Sequence, residues 1–243
     1  MMGDIETRIG GAAGEFPTTR DSVVVPSRTG RDPDLDRLIL LYWKPVYCLI
    51  RKAGTRGNED AKDLTQEFFT RIVVEGSLAE RYTPDKGSFR AYLKAAVRNF
   101  LRNEHRDDTR LKRGGPAGPL ALQRVDVDLT DLLPDEQALP PEQLFDRAWR
   151  SVVLGRAVER VREDLASQGK SEVFEVFRRY DLEGSAARSY EDVGREMGLS
   201  SDTVKNHLTR AREEFRQAVR AEVCGTVADP RDLSAELREL FGM

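Results

Sequence analysis

Two histidines and two cysteines are all that the 243 residues hold of the commonest transition-metal ligands. His105, His207, Cys48 and Cys224 stand singly and far apart, so no metal-ligand spacing exists. No Ser/His/Asp set, phosphate-cradling glycine loop or carboxylate pair beside a positioned base is visible. The chain is therefore expected not to be an enzyme and to need no cofactor. The cysteines read as reduced, packed thiols rather than a disulfide. Long apolar runs are absent too: none approaches the roughly 18–20 residues of a membrane span. The first residues, MMGDIETRIGG, have no apolar h-region, so the expectation is a cytoplasmic protein without membrane contact. Aromatics make up 7% and hydrophobic residues 39% against 33% charged, which suits small helical domains better than a large sheet enzyme. The net charge of −3 argues against indiscriminate nucleic-acid binding but permits a local basic face.

What is present is helical text, with no convincing strand and no internal repeat. The expected fold is all-α: two small helical domains joined by a flexible linker, the second containing a helix-turn-helix. Residues 1–20 read as a flexible, Gly-rich tail and 21–112 as the first domain. The stretch 113–140, rich in Gly, Pro and acids and without a period, reads as the linker. The second domain is expected at 141–223 and a C-terminal helical tail at 224–243.

In the first domain, Leu35, Leu38, Ile39, Tyr42, Trp43, Val46, Tyr47 and Ile50 recur at three- and four-residue steps, with Pro45 inside the run as a candidate kink. A second helix is expected to be capped by Asn58 and to bury Ala61, Leu64, Phe68 and Ile72. Asp60, Asp63 and Glu67 form an acidic neighbour to that stripe. Such a face is either simply solvated or a docking surface for a basic partner; phosphates would repel it. A third helix, capped at Ser88, turns Phe89, Leu93, Val97, Phe100 and Leu101 inward. Its cations Arg90, Lys94, Arg98, Arg102, Arg106 and Arg110 step by four, so each drifts about 40° around a 3.6-residue helix. Lysines and arginines often decorate exposed helices. Here Tyr82, Phe89, Tyr92 and Phe100 interleave with them, which suits stacking on unpaired bases.

In the second domain, helices are expected near 141–152, 157–165 and 173–180. Then comes SYEDVGREMGLSSDTVKNHLTRAR. Ser189 and Asp192 make a capping box, Val193 and Met197 face inward, and Gly198 ends the helix. Ser200 or Ser201 caps the next, which buries Val204, Leu208, Ala211, Phe215 and Val219. A short helix, a Gly-containing turn and a longer helix with a polar start are the pattern of a DNA-reading helix-turn-helix. Ser201, Thr203, Lys205, Asn206 and Arg210 would reach base edges, while Arg212, Arg216 and Arg220 suit phosphates. The plainer reading is a helical hairpin with a solvated charged face.

Three segments in this order, EDAKDLTQEFF, YTPDKGSFRAYLKAAVRN and SYEDVGREMGLSSDTVKNHLTRAR, resemble an extracytoplasmic-function (ECF) sigma factor of the sigma-70 family, over roughly residues 20–223. The closing TVADPRDLSAELREL is similar to a tail seen in one branch of that family. The resemblance implies a division of labour. Asp60, Asp63, Glu67 and Phe68 would dock on the coiled coil of the largest subunit of core RNA polymerase. Tyr82, Lys86, Arg90, Lys94, Arg98, Asn99, Arg102, Asn103 and Arg106 would bind and open the −10 element of promoter DNA. Ser201, Thr203, Lys205, Asn206, Arg210 and Arg212 would read the −35 element. In the family's RNxxxDxxR pattern Asn103 replaces the acid while Arg98, Asn99 and Arg106 are kept. Some relatives lack the docking acids and depend on phosphorylation; here the acids are present. An anti-sigma factor stands among the partners the resemblance allows. A linker of this length spans about 30 Å as a coil and about 100 Å extended. Two elements two DNA turns apart lie on the order of 70 Å apart. A stand-alone helix-turn-helix regulator leaves the acidic helix unexplained. A sigma-like decoy that binds an anti-sigma factor has no need of the basic helix. The C-terminal helix, with Asp229 as cap, Pro230 at its first position and Leu233, Leu237, Leu240 and Phe241 as its stripe, is expected to pack on the second domain rather than cover the recognition helix.

Overall fold

The computed structural model describes residues 33–53, 57–74, 88–110, 139–183, 188–224, 226 and 233–242. The N-terminal tail, most of the linker, the loop holding Tyr82 and Lys86, and the Asp229–Pro230 cap lie outside them. So do the side chains of Leu35, Ile72 and Arg106. Every described element is a helix: α1 Pro33–Ala53, α2 Asn58–Val74, α3 Phe89–Arg110, α4 Pro141–Ser167, α5 Ser171–Phe177, α6 Tyr190–Met197, α7 Ser201–Cys224 and α8 Leu233–Phe241. A π-helical turn, Arg178–Leu182, follows α5 directly. The all-α class therefore holds among the described residues.

The chain divides into two compact units. One is made of the described residues of 22–153 together with 223–242; the other is 154–222. This division departs from the sequence boundaries. The first half of α4 and the C-terminal helix cluster with α1, α2 and α3. The tail therefore does not belong wholly to the second domain, as its stripe suggested.

In the first unit α1 runs unbroken through Pro45. Besides the expected stripe it buries Leu41, Cys48 and Leu49, so it is apolar nearly all round and forms the unit's centre. Trp43 stacks on Phe69 of α2 at 5.4 Å between centroids. Phe89 of α3 meets Tyr42 edge-on at 5.3 Å. From α4, Phe145 and Trp149 lie 6.3 and 6.2 Å from the same tyrosine ring. Burial pushes the Tyr42 hydroxyl well above its ordinary pKa. Asn58 is the first residue of α2 rather than its cap: Gly57 supplies the carbonyl for Ala61 N–H at 3.2 Å, and Asn58 Oδ1 accepts the Tyr47 hydroxyl. Ser88 does cap α3, its Oγ accepting Ala91 N–H at 3.3 Å.

The helices expected at 141–152 and 157–165 are one helix, α4, with residues 141–153 in the first unit and 154–167 in the second. Trp149, Val153, Ala157, Val161 and Leu165 are all buried at steps of four, so the apolar face passes through Gly155 without interruption. A glycine inside a helix costs only about 1 kcal/mol and need not end it. Ala157, Val161, Leu165, Val173 and Phe177 are buried together with Val193, Val204, Leu208, Ala211 and Phe215. Phe177 and Phe215 rings meet at 5.6 Å. Cys48 is buried and Cys224 exposed, both as free thiols.

Candidate nucleic-acid interface and docking face

The α6–α7 pair is locked at both ends of its turn. Ser189 Oγ accepts Asp192 N–H at 3.1 Å, and the Asp192 carboxylate accepts the Ser189 N–H at 3.1 Å and hydroxyl at 2.8 Å. These bonds from Ser189, with Arg195 adding its charge, hold the Asp192 carboxyl below its usual range. Gly198 adopts φ 70°, the left-handed conformation that suits glycine. The carbonyl of Gly194 then receives two donors, the Gly198 N–H and the Leu199 N–H at 2.8 Å. A β-carbon on Gly194 would lie 2.6 Å from the Leu199 carbonyl oxygen, so only glycine lets the turn fold back this closely. Ser200 caps α7: its Oγ accepts Thr203 N–H at 3.1 Å.

The α7 helix leaves Ser201, Asp202, Lys205, Asn206, Thr209 and Arg210 exposed on one face. Val204, Leu208 and Ala211 are buried on the other. Ser201, Lys205, Asn206 and Arg210 are thus brought together as the sequence predicts. Thr203 sits beside them, its hydroxyl 2.8 Å from Ser200 Oγ in the cap. Arg210 donates to Gln168 Oε1 at 3.0 Å. Arg212 is not brought to this face. Its guanidinium forms a fork on Asp181 at 2.9 and 2.8 Å and lies over the Tyr180 ring at 5.6 Å. The hydrogen bonds that Arg212 donates to Asp181 raise the Arg212 pKa against the opposing effect of burial. Arg216 is turned to Glu213 at 2.6 Å.

A further network was missed by the sequence reading. Glu175 accepts Arg178 at 2.6 and 2.8 Å and Arg179 at 2.6 Å. Arg179 and Arg188 both reach Glu196 of α6, at 3.3 and 3.1 Å. The hydrogen bonds from Arg178, opposed by burial and reinforced by Arg179, draw the Glu175 carboxyl down to about 2. The i, i+3 and i, i+4 spacings of Glu175 to Arg178 and Arg179 were the available signal.

On α3 the cations grade from enclosed to open, as the drift around the helix requires. Arg90 is 2% exposed. It donates to Glu236 of α8 and, at 2.6 Å, to Asp146 of α4; Glu239 lies at 3.3 Å and the Trp149 ring at 5.4 Å. Burial alone would lower its pKa; the bond to Glu236 and the charges of Glu236, Asp146 and Glu239 outweigh it and raise the value. Lys94 donates to both Asp146 oxygens at 3.0 Å. Arg98 reaches Glu142 at 3.3 Å with its side chain half exposed. Asn99, Arg102 and Asn103 are exposed. The structure thus keeps Arg90 off the open surface to which the sequence assigned it. Phe89 and Phe100 are likewise buried rather than free to stack on bases. Phe100 carries the Arg71 guanidinium 5.2 Å above its ring.

On α2, Asp60 and Asp63 are exposed. Glu67 pairs with Arg71, which also holds Glu104 at 2.9 Å. Phe68 is buried, edge-on to Phe69 at 5.4 Å and Phe100 at 5.5 Å, so it packs the core rather than presenting a docking surface. Among the described residues no group of His, Cys, Asp and Glu could hold a metal, and no helix is long and apolar enough to cross a membrane.

Residues 38–111 match the model of sigma-70 region 2. Over 202 residues the chain is 26% identical to the ECF RNA polymerase sigma factor SigE of Mycolicibacterium smegmatis, covering 83% of this chain and 65% of that protein. The chain thus spans about two thirds of the length of that curated relative. No solved structure matches it. Residues 38–111 are thus similar to sigma-70 region 2, and the chain over most of its length is similar to an extracytoplasmic-function sigma factor.

Proposed function

We propose that this protein is a sigma factor that brings bacterial RNA polymerase core to particular promoters and initiates transcription there, in the cytoplasm. The observation that carries the reading is the exposed face of α7. Ser201, Lys205, Asn206 and Arg210 line it on a helix held by a full apolar stripe and a capped, glycine-tight turn. These are the polar, amide and guanidinium groups that read base edges in a major groove. In this reading α7 meets the −35 element. The open end of α3, with Arg98, Asn99, Arg102 and Asn103, meets the −10 element, and Asp60 and Asp63 dock on the polymerase core.

The docking and reading roles separate in one experiment. Exchange of Asp60 and Asp63 for lysine is expected to weaken binding to core polymerase while leaving duplex DNA binding intact. Exchange of Lys205 and Arg210 for alanine is expected to weaken promoter duplex binding by about 1–3 kcal/mol per base contact and leave core binding intact. Core binding indifferent to the acidic pair would overturn the docking assignment.

A further inference from the structure

Arg90, Lys94 and Arg98 begin a basic series, yet each already holds a carboxylate partner from a distant part of the chain. The partners are Asp146 and Glu142 of α4 and Glu236 and Glu239 of α8, four acids for three cations. All belong to one compact unit. The arrangement is built rather than incidental. Leu237 and Leu240 are buried, Phe241 meets Trp149 at 6.5 Å between ring centroids, and Arg150 donates to the Leu240 carbonyl at 3.4 Å. Lys94 lies 5.7 Å over the Phe145 ring.

Two physical points make this seat a competitor for nucleic acid. A carboxylate and a phosphate offer a guanidinium the same acceptor geometry, and Arg90 Nε, Nη1 and Nη2 already face Glu236, Asp146 and Glu239, so a phosphate must displace one of them. And α8 has 9 residues, too few to persist as a helix in water without its seat. It is therefore an element that can leave.

We propose that α8, together with Glu142 and Asp146, forms an acidic clasp on the first turns of α3, and that the clasp and single-stranded promoter DNA compete for Arg90, Lys94 and Arg98. The clasp lowers the free protein's affinity for DNA, and engagement of the strand releases α8. This inference rests on the reading of α3 as the helix that meets the −10 element.

Its test uses the full-length chain and a random-sequence single-stranded DNA oligonucleotide, since binding of unpaired strands is largely sequence-tolerant. Amide hydrogen exchange across residues 233–241 is followed with and without the oligonucleotide. Its affinity is measured against salt for wild type, for Glu236→Gln with Glu239→Gln, and for Arg102→Ala. Faster exchange in 233–241 on DNA binding is expected. So are severalfold tighter binding by the double glutamine variant and a salt slope steeper by about 0.7 for each cation released to a phosphate. If that variant folds poorly, exchange in the unaltered chain still decides. Protection of 233–241 that persists in the DNA complex, while Arg102→Ala weakens binding, would overturn the clasp and leave the reading of α3 standing. Binding that neither Arg102→Ala nor the glutamine pair alters would overturn both.

Discussion

Alanine at Gly194 and alanine at Gly155 should move stability in opposite directions. Both glycines lie inside helices, so on propensity alone each replacement gains about 1 kcal/mol. Their surroundings differ. At Gly155 a β-carbon meets nothing within 4 Å, so the gain is expressed as about 0.5–1 kcal/mol of added stability. At Gly194 the same carbon would sit 2.6 Å from the Leu199 carbonyl oxygen, well inside the 3.4 Å at which ordinary contact begins. The obstacle is backbone, tied by the Leu199 N–H to Gly194 O bond at 2.8 Å, and the Val204 side chain closes the other side at 3.7 Å. The turn must open, at an overpacking cost of about 1–3 kcal/mol that exceeds the propensity gain. For a unit of this size each kcal/mol shifts the melting temperature by about 4–8 °C. Trp43 and Trp149 both lie in the other unit, so tryptophan fluorescence does not report this change. Calorimetry and amide exchange at Val204 and Leu208 do. Opening the turn also retilts α7, so duplex binding should fall with stability for Gly194→Ala and not for Gly155→Ala. A Gly194→Ala protein as stable as Gly155→Ala, with unchanged duplex binding, would refute the close approach and the fixed angle between the two helices.

Two further outcomes follow from the same unit. Ser189→Ala removes the capping box and is expected to destabilise it by about 1 kcal/mol, read by thermal or urea unfolding, with Asp192 losing its hydroxyl and cap partners. Glu175 has its carboxyl drawn from 4.5 to about 2 by Arg178 and Arg179, so the stability it confers is complete above pH 4.5 and is lost as pH falls from 4.5 to about 2. The acid-unfolding curve of Glu175→Gln should lack that component; identical curves for the two proteins would remove Glu175 from the account.

Local signals carried much of this fold in the sequence. The Ser189–Asp192 box, the Gly198 turn and the stripe Val204, Leu208, Ala211, Phe215, Val219 involve neighbours within a few residues, and the structure places them as read. The acidic pair Asp60 and Asp63 is exposed as the periodicity implies. What the pattern did not contain was which distant group a cation would meet. Arg90 and Glu236 are separated by 146 positions, and Arg212 and Asp181 by 31 across a π-helical turn that no spacing announces. A step-by-four basic series therefore reads as a winding exposed stripe, although its early members are paired within the chain. The continuity of α4 was missed for a different reason: Gly155 weakens a helix slightly, and the apolar faces on both sides of it are in phase. Asn58 was read as a cap because its residue type favours that role, while the Tyr47 hydroxyl takes its oxygen instead.

The central claim is that this chain gives core polymerase its promoters, and run-off transcription tests it most directly. Bacterial core polymerase would be supplied with a pool of promoter-like fragments and either the wild-type chain or the Asp60→Lys, Asp63→Lys protein. Discrete start sites with wild type that disappear with the charge reversal are the predicted result. Duplex DNA binding without any transcript from the wild-type chain would contradict the account and leave a regulator that acts apart from the polymerase.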